Sequence, residues 1–191
     1  NTFINMKIEI KNLEHLRQVL NDYDINPNNW GKDDSRTIEE LYKEIVDAET
    51  ELFEIRTLPE DSEPTLLRTV TVVGINVTCG KYRLKEDRQE FVDGRVRHRN
   101  LNVSCAEKLI KGETPRQAAV RCLKEELGIE IHETELRPHI SHSNVDISSS
   151  YPGLNCMYNR NPFDYEMKPE FFNPDGYQEF QENKTTYFIW E

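Results

Sequence analysis

The chain has 191 residues, four cysteines and a net charge of −11. This length can bury one sizeable core with an appended segment, and the acidic balance argues against general binding to nucleic-acid backbones, which requires a basic face. The longest apolar stretch, Val70 to Val77, is far too short for a membrane-spanning helix, so we expect no membrane partner.

The first 65 residues are predicted to form a helical extension. Residues 13–23 carry apolar side chains at helical spacing, and a second helix is predicted to begin near Ser35 or Thr37 and run to about Leu52. These helices could dock a protein partner.

A second region, residues 66–191, follows a linker at 57–65 that contains two prolines and three acids. A turn at Asp93-Gly94 and a long serine-rich loop at 141–153 separate short apolar segments. Strands are predicted at Leu67–Thr78, Tyr82–Leu84, Val96–Val103, Ile129–Ile131, Leu136–Ile140, Leu154–Tyr158 and Thr185–Trp190. Strands on both sides of one central helix favour an α/β sandwich.

That central helix is predicted within residues 112–129, GETPRQAAVRCLKEELGI. Thr114 can cap the first turn, Pro115 suits the first helical position, and Gln117 completes a capping-box pattern. Gly128 tolerates the positive φ at which helices commonly end.

The charges of this helix permit two interpretations. Arg121 and Glu125 lie one turn apart, so they could form an ordinary exposed ion pair of little consequence. Alternatively, the adjacent carboxylates of Glu125 and Glu126 could hold a divalent cation, because hard cations prefer oxygen ligands.

The same residues resemble the Nudix box, G-x5-E-x7-R-E-U-x-E-E-x-G-U, in which U is aliphatic. The positions that match are Glu113, Arg121, Leu123, Glu125, Glu126, Gly128 and Ile129. Two positions depart, because Glu107 stands at the opening glycine and Cys122 stands at the glutamate after the arginine.

The resemblance implies a Nudix-like α/β/α sandwich with a mixed sheet, and a pyrophosphatase that hydrolyses a diphosphate linkage in a nucleotide-type metabolite. It implies Mg²⁺ (or Mn²⁺) as cofactor, with Glu125 and Glu126 as metal ligands. The candidate catalytic residues are Arg121, Glu113 and Glu125: Arg121 orients the carboxylates, and Glu113 supports the loop or the water network. The substrate-binding residues stay unassigned.

Cys122 leaves a second function open. The missing glutamate is normally a metal ligand, and a thiol is poorly suited to Mg²⁺, so the chain could be a Nudix-fold binding or scaffold protein with impaired catalysis. Glu107 could return one carboxylate from the loop side. A third possibility is an acidic globular domain whose box match is accidental.

Several residues outside the box are weaker candidates. Either Glu179 or Glu182 could serve as a base or an extra ligand, and His139 or His142 could touch substrate. A basic cluster could meet phosphates or could simply be a solvated strand face; it comprises Arg95, Arg97, Arg99 and Lys108.

The cysteines are widely separated, and none forms a C-x-x-C pair, so the spacing predicts no zinc site. Unpaired cysteines are typical of a reducing compartment, and we therefore expect an intracellular, cytoplasmic protein, with an organelle as the alternative.

Overall fold

The computed structural model describes residues 3–57 and 63–191. Over these residues the fold is mixed α/β, with three α-helices and a large antiparallel sheet. The helices are α1 (Leu13–Asp22), α2 (Ile38–Val46) and α3 (Pro115–Leu127). The strands are β1 (Phe3–Ile8), β2 (Glu51–Thr57), β3 (Thr65–Cys79), β4 (Tyr82–Phe91), β5 (Val96–Arg97), β6 (Cys105–Lys108), β7 (Arg137–Pro138), β8 (His142–Ile147), β9 (Asn155–Glu166), β10 (Tyr177–Phe180) and β11 (Lys184–Trp190).

The chain divides into two compact units. The first contains the residues up to Thr71 together with His142–Asn159, and the second contains Val72–Ser141 together with Arg160–Glu191. The predicted division into residues 1–65 and 66–191 stays a prediction.

The N-terminal part of the first unit contains both predicted helices and two strands, β1 and β2, that the sequence pattern did not predict. Strand β1 pairs antiparallel with β2, and β2 pairs with the first residues of β3. Helices α1 and α2 bury one apolar face each, with Leu16, Leu20 and Leu41 fully buried. The expectation that the second helix continues to about Leu52 was wrong, because α2 ends at Val46 and a strand follows.

A buried ion-pair network lies in the core of the first unit. Glu44 is 4% exposed and Arg68 is 2% exposed, and Arg68 Nη2 donates to Glu44 Oε2 over 2.7 Å. The hydroxyl of Tyr151 and the guanidinium of Arg36 donate to the other carboxylate oxygen. A buried carboxylate is stable only when it is neutralised and hydrogen-bonded, and Glu44 meets both conditions.

The second unit is built on the C-terminal half of β3. There β3 pairs antiparallel with β6, with Ile75 opposite Cys105, and with the start of β4. Strand β11 pairs with β4 on one side and with β10 on the other. Helix α3 covers this sheet, and its buried residues pack against Val73, Ile75, Val77 and Leu84.

Helix α3 confirms the local signals of the sequence. Thr114 accepts a hydrogen bond from the amide of Gln117, the Gln117 side chain accepts from the amide of Thr114, and Pro115 is the first helical residue. Gly128 ends the helix with φ of +68°. Leu123 is fully buried, and deleting such a side chain costs about 2–5 kcal/mol.

Other strand predictions need correction. The strand expected over Val96–Val103 covers only Val96–Arg97, and Ile129–Ile131 is not a strand. Part of the loop expected at 141–153 is strand β8, whose residues are all exposed. Most of the predicted linker, residues 58–62, lies outside the described residues.

One glycine fixes the approach of β10 to β11. Gly176 precedes β10 with φ of +82°, and a Cβ atom on it would lie 2.0 Å from the carbonyl oxygen of Phe188. Both the backbone conformation and the space therefore require glycine.

Over the described ranges 3–57 and 63–191, no helix is both long and apolar enough to cross a bilayer.

Candidate metal and active site

Arg121 ties the loop after β6 to helix α3. Its Nε and Nη2 atoms donate to the two carboxylate oxygens of Glu113 over 2.9 and 3.0 Å. Nη2 also donates to the carbonyl oxygen of Lys108 over 2.7 Å, and Nη1 donates to Glu125 Oε2 over 3.0 Å. Because the guanidinium is planar, this arrangement fixes the position of the loop relative to the helix.

The electrostatics of the Arg121–Glu113 pair favour the charged form of each group. Burial raises the pKa of Glu113, but hydrogen bonds from Arg121 and from the amide of Ile110 outweigh it and lower the pKa below its usual range. The Glu113 hydrogen bonds in turn raise the pKa of Arg121. Of the three residues predicted as a catalytic group, Arg121 thus contacts both Glu113 and Glu125.

Glu125 and Glu126 are neighbours in sequence but have different surroundings. The Glu125 side chain is 50% exposed and is held by Arg121. Glu126 is 7% exposed, and its carboxylate has no hydrogen bond or ion pair within residues 3–57 and 63–191. Burial raises the pKa of Glu126 well above its ordinary value, and the negative charges of Glu179 and Glu107 raise it further.

Two further carboxylates approach Glu126 from neighbouring strands. Glu107 lies on β6, and burial raises its pKa. Glu179 lies on β10, and both strands contact α3. Glu182, the other candidate of the sequence, is exposed beyond β10. The sequence alone could not distinguish these two glutamates, because the pairing of β10 with β11 determines which of them lies near α3.

Arg99 belongs to this site rather than to a solvated strand face. Its guanidinium pairs with both carboxylate oxygens of Glu86, a side chain that is 2% exposed, and Nε lies 2.8 Å from Oε1. The half-buried amine of Lys184 lies close by, and burial followed by the charge of Arg99 lowers its pKa. Sequence reasoning missed Glu86 and Lys184, for which no motif exists.

Two buried cysteines complete the cluster. The Sγ atoms of Cys105 and Cys122 and one carboxylate oxygen of Glu126 all lie within 4.8 Å of one another. The hydrogen bond with Cys105 and burial raise the pKa of the Cys122 thiol well above its ordinary value. The cysteine spacing gave no sign of this proximity, because Cys105 comes from β6 and Cys122 from α3.

The histidine candidates lie elsewhere. His139 Nε2 is 2.6 Å from Asp164 Oδ2, and its side chain is 51% exposed. His142 is exposed at the start of β8.

Comparison with known structures gives partial superpositions. DR0079 of Deinococcus radiodurans aligns at 19% identity and a TM-score of 0.34, over 63% of this chain and 65% of that one. A MutT/nudix family protein of Enterococcus faecalis aligns at 17% identity and a TM-score of 0.40, over 71% of this chain and 46% of that one. The Ap4A hydrolase of C. elegans aligns at 19% identity and a TM-score of 0.31, over 64% of this chain and 79% of that one.

The structural neighbours of this chain include Nudix and Ap4A hydrolase structures at low sequence identity. The chain spans less than two thirds of the length of the Deinococcus and Enterococcus proteins. No family model matches the sequence, and neither does any curated protein.

Proposed function

We propose that this chain is a divergent Nudix-type hydrolase that cleaves a diphosphate linkage in a nucleotide-type metabolite with the help of a divalent cation. One observation carries the proposal: Glu126 is a buried carboxylate that makes no direct ion pair among residues 3–57 and 63–191, in a helix whose Arg121 binds Glu113 and Glu125. A buried carboxylate without a direct ion pair or hydrogen bond is costly, and a bound cation would reduce that cost.

The side chains of the cluster divide into two roles. Glu126, with Glu107 and Glu179 nearby, offers the oxygen ligands, and Glu125 stands at the solvent side of the helix. Arg121 and Glu113 are positioning residues, because they fix the loop and the orientation of Glu125. A divalent cation held there would neutralise diphosphate oxygens and lower the pKa of a bound water.

The side chains of the cluster include ligands for two different classes of cation. The carboxylates suit Mg²⁺ or Mn²⁺, the ions that the resemblance implies, because these ions prefer oxygen. The sulfur atoms of Cys105 and Cys122 do not suit Mg²⁺, which usually binds oxygen ligands in an octahedron.

The test is hydrolysis of a panel of nucleoside diphosphate conjugates, each supplied with Mg²⁺, Mn²⁺ or Zn²⁺, with the phosphate products quantified. The wild-type chain should release products only with a cation, and Glu126→Gln should abolish the release. Glu182→Gln is the matched control, because Glu182 is exposed and lies outside the cluster. Absence of cation-dependent turnover across the panel would contradict the proposal.

A second candidate is a binding or scaffold protein with impaired catalysis. The observation that favours it is Cys122, which is fully buried where the box has a glutamate. The apolar faces of α1 and α2 are buried within the first unit, so a protein partner of these helices would contact their polar faces. Nucleotide binding by calorimetry without turnover would support this candidate.

A further inference from the structure

We propose that Cys105, Cys122 and Glu126 form a binding site for a thiophilic divalent cation, of which Zn²⁺ is the representative we would test. This inference deepens the proposed function by naming the class of ion, but cation binding can be measured whether or not the chain hydrolyses anything.

The geometry of the three groups suits such an ion. Their ligand atoms lie within 4.8 Å of one another, and all three residues are buried. Zinc binds thiolate sulfur at about 2.3 Å and carboxylate oxygen at about 2.0–2.2 Å in a tetrahedron, which places ligand atoms roughly 3.5–3.8 Å apart. Small side-chain rotations would therefore close the three groups around one ion.

The surroundings of Glu126 provide a second, independent observation. Its side chain is more than nine-tenths buried and, within the part of the chain that the structure describes, accepts no hydrogen bond. Buried carboxylates in proteins are normally paired or bound to a metal. Arg99 is the nearby cation, but its guanidinium is hydrogen-bonded to Glu86 and acts on Glu126 as a charge rather than through a contact.

The donor types decide between classes of ion. Thiolates select zinc and other soft or borderline metals, whereas Mg²⁺ requires near-ideal octahedral oxygen coordination. Cys122 takes the place of a glutamate in the box, and Cys105 faces it from β6. A single cysteine would indicate little. Two sulfur atoms beside Glu126 indicate that the metal ligands have changed from oxygen towards sulfur.

Three protein ligands leave one tetrahedral position open. Catalytic zinc sites share this arrangement, with water or substrate in the fourth position. Glu179 and Glu107 carry the negative charges that act most strongly on Glu126, so the surroundings of the proposed site are acidic. When the ion binds, each thiol passes its proton to the buffer as its sulfur–metal bond forms.

The experiment uses Co²⁺ as a spectroscopic substitute on the full chain, stripped of metal with a chelator and kept reduced. We expect a sulfur-to-cobalt charge-transfer band and tetrahedral visible bands in the wild type. Zn²⁺ at one equivalent should bleach both, and about a thousandfold excess of Mg²⁺ should not. Proton release in weak buffer should accompany binding.

Variants locate the site. Groups that merely support a metal ligand contribute roughly 10–100-fold in affinity, so Cys105→Ser or Cys122→Ser should weaken Zn²⁺ binding by at least about a hundredfold. Cys79→Ser is the matched control, because Cys79 is outside the cluster and should leave the cobalt spectrum unchanged. If the serine variants do not fold, alkylation of the wild type replaces them: Zn²⁺ should protect Cys105 and Cys122, and Mg²⁺ should not.

The outcomes separate this inference from the proposed function. An octahedral cobalt spectrum without a charge-transfer band, or alkylation that Zn²⁺ does not slow, would overturn the inference even if Mg²⁺-dependent hydrolysis is found. A thiolate–cobalt band in a protein that hydrolyses nothing would support the inference and contradict the proposed function.

Discussion

Arg121 and Glu113 form a two-point ion pair, with Nε to Oε1 at 2.9 Å and Nη2 to Oε2 at 3.0 Å. The Glu113 side chain is 9% exposed, so this pair is largely shielded from water. The same guanidinium reaches Glu125, and the geometry of the loop, the helix and one exposed carboxylate therefore depends on a single side chain.

Replacing Arg121 by lysine keeps the charge but removes the planar fork. We expect kcat for a hydrolysed conjugate to fall by about 10–100-fold with little change in KM, since the lost contacts orient other groups. Steady-state kinetics measure this, and circular dichroism verifies the fold. Lys124→Gln, on the same helix, should leave kcat unchanged, because Lys124 pairs with exposed Glu130 and is itself exposed. Equal losses in both variants would refute the positioning role.

Glu126→Gln should abolish stabilisation by a bound cation. At a hundredfold excess over its Kd, an ion that binds only the folded state stabilises by about 2.7 kcal/mol, or roughly 5–10 °C in Tm for a chain of this size. Differential scanning calorimetry of the wild type with Zn²⁺ should show this rise, and the variant should show none. A rise that survives in Glu126→Gln would place the ion elsewhere.

Cys122→Glu restores the oxygen ligand of the box. The variant should lose the thiolate–cobalt band and gain Mg²⁺-dependent turnover by at least about tenfold, since Mg²⁺ binds through carboxylates. Cys79→Glu adds the same charge outside the cluster and should gain nothing. If Cys122→Glu folds but binds no Mg²⁺, the site differs from the Nudix box by more than one ligand.

Glu44→Gln should strongly destabilise the first unit. The substitution leaves Arg68 buried without a carboxylate, and breaking a buried ion pair costs about 3–5 kcal/mol. Urea unfolding measures the change. Lys43→Gln, which removes the exposed pair with Asp47 on the same helix, should have no measurable effect.

Tyr23→Phe should remove a pH-dependent contribution to stability. The hydrogen bond from Tyr23 lowers the pKa of Glu54 below 4.5, while burial and the same bond raise the pKa of Tyr23 from 10.0 to about 12. The depressed carboxyl stabilises above pH 4.5 and loses its effect as pH falls; the raised phenol stabilises below pH 10.0 and loses its effect as pH rises towards 12. The variant should be about 1 kcal/mol less stable between these limits, and the difference should shrink outside them.

Helix α3 was predictable because its signals are local. The cap at Thr114, the proline after it and the glycine at 128 each act on the adjacent turn, and all three have the expected roles. The α/β class followed from the alternation of strands around this helix.

The end of α2 was not predictable in the same way. Ala48 follows the helix with φ of +55°, a conformation that alanine rarely adopts, so no residue type signalled the stop. Strand β8 was missed because all of its residues are exposed and only Val145 and Ile147 are apolar, which is too short an alternation to stand out within a serine-rich stretch.

The cluster around Glu126 depended on tertiary contacts. The box indicated Glu126, but Cys105 and Glu179 reach it from β6 and β10, which are far away along the chain. The sheet pairing brings both strands into contact with α3, and sequence spacing does not reveal that pairing.

The contact at Gly176 has a consequence for the acidic cluster. A single methyl group at this position would collide with the Phe188 backbone and push β10 away from β11. Glu179 would move with the strand, so a substitution that alters no acid, base or thiol would disturb the carboxylates around Glu126.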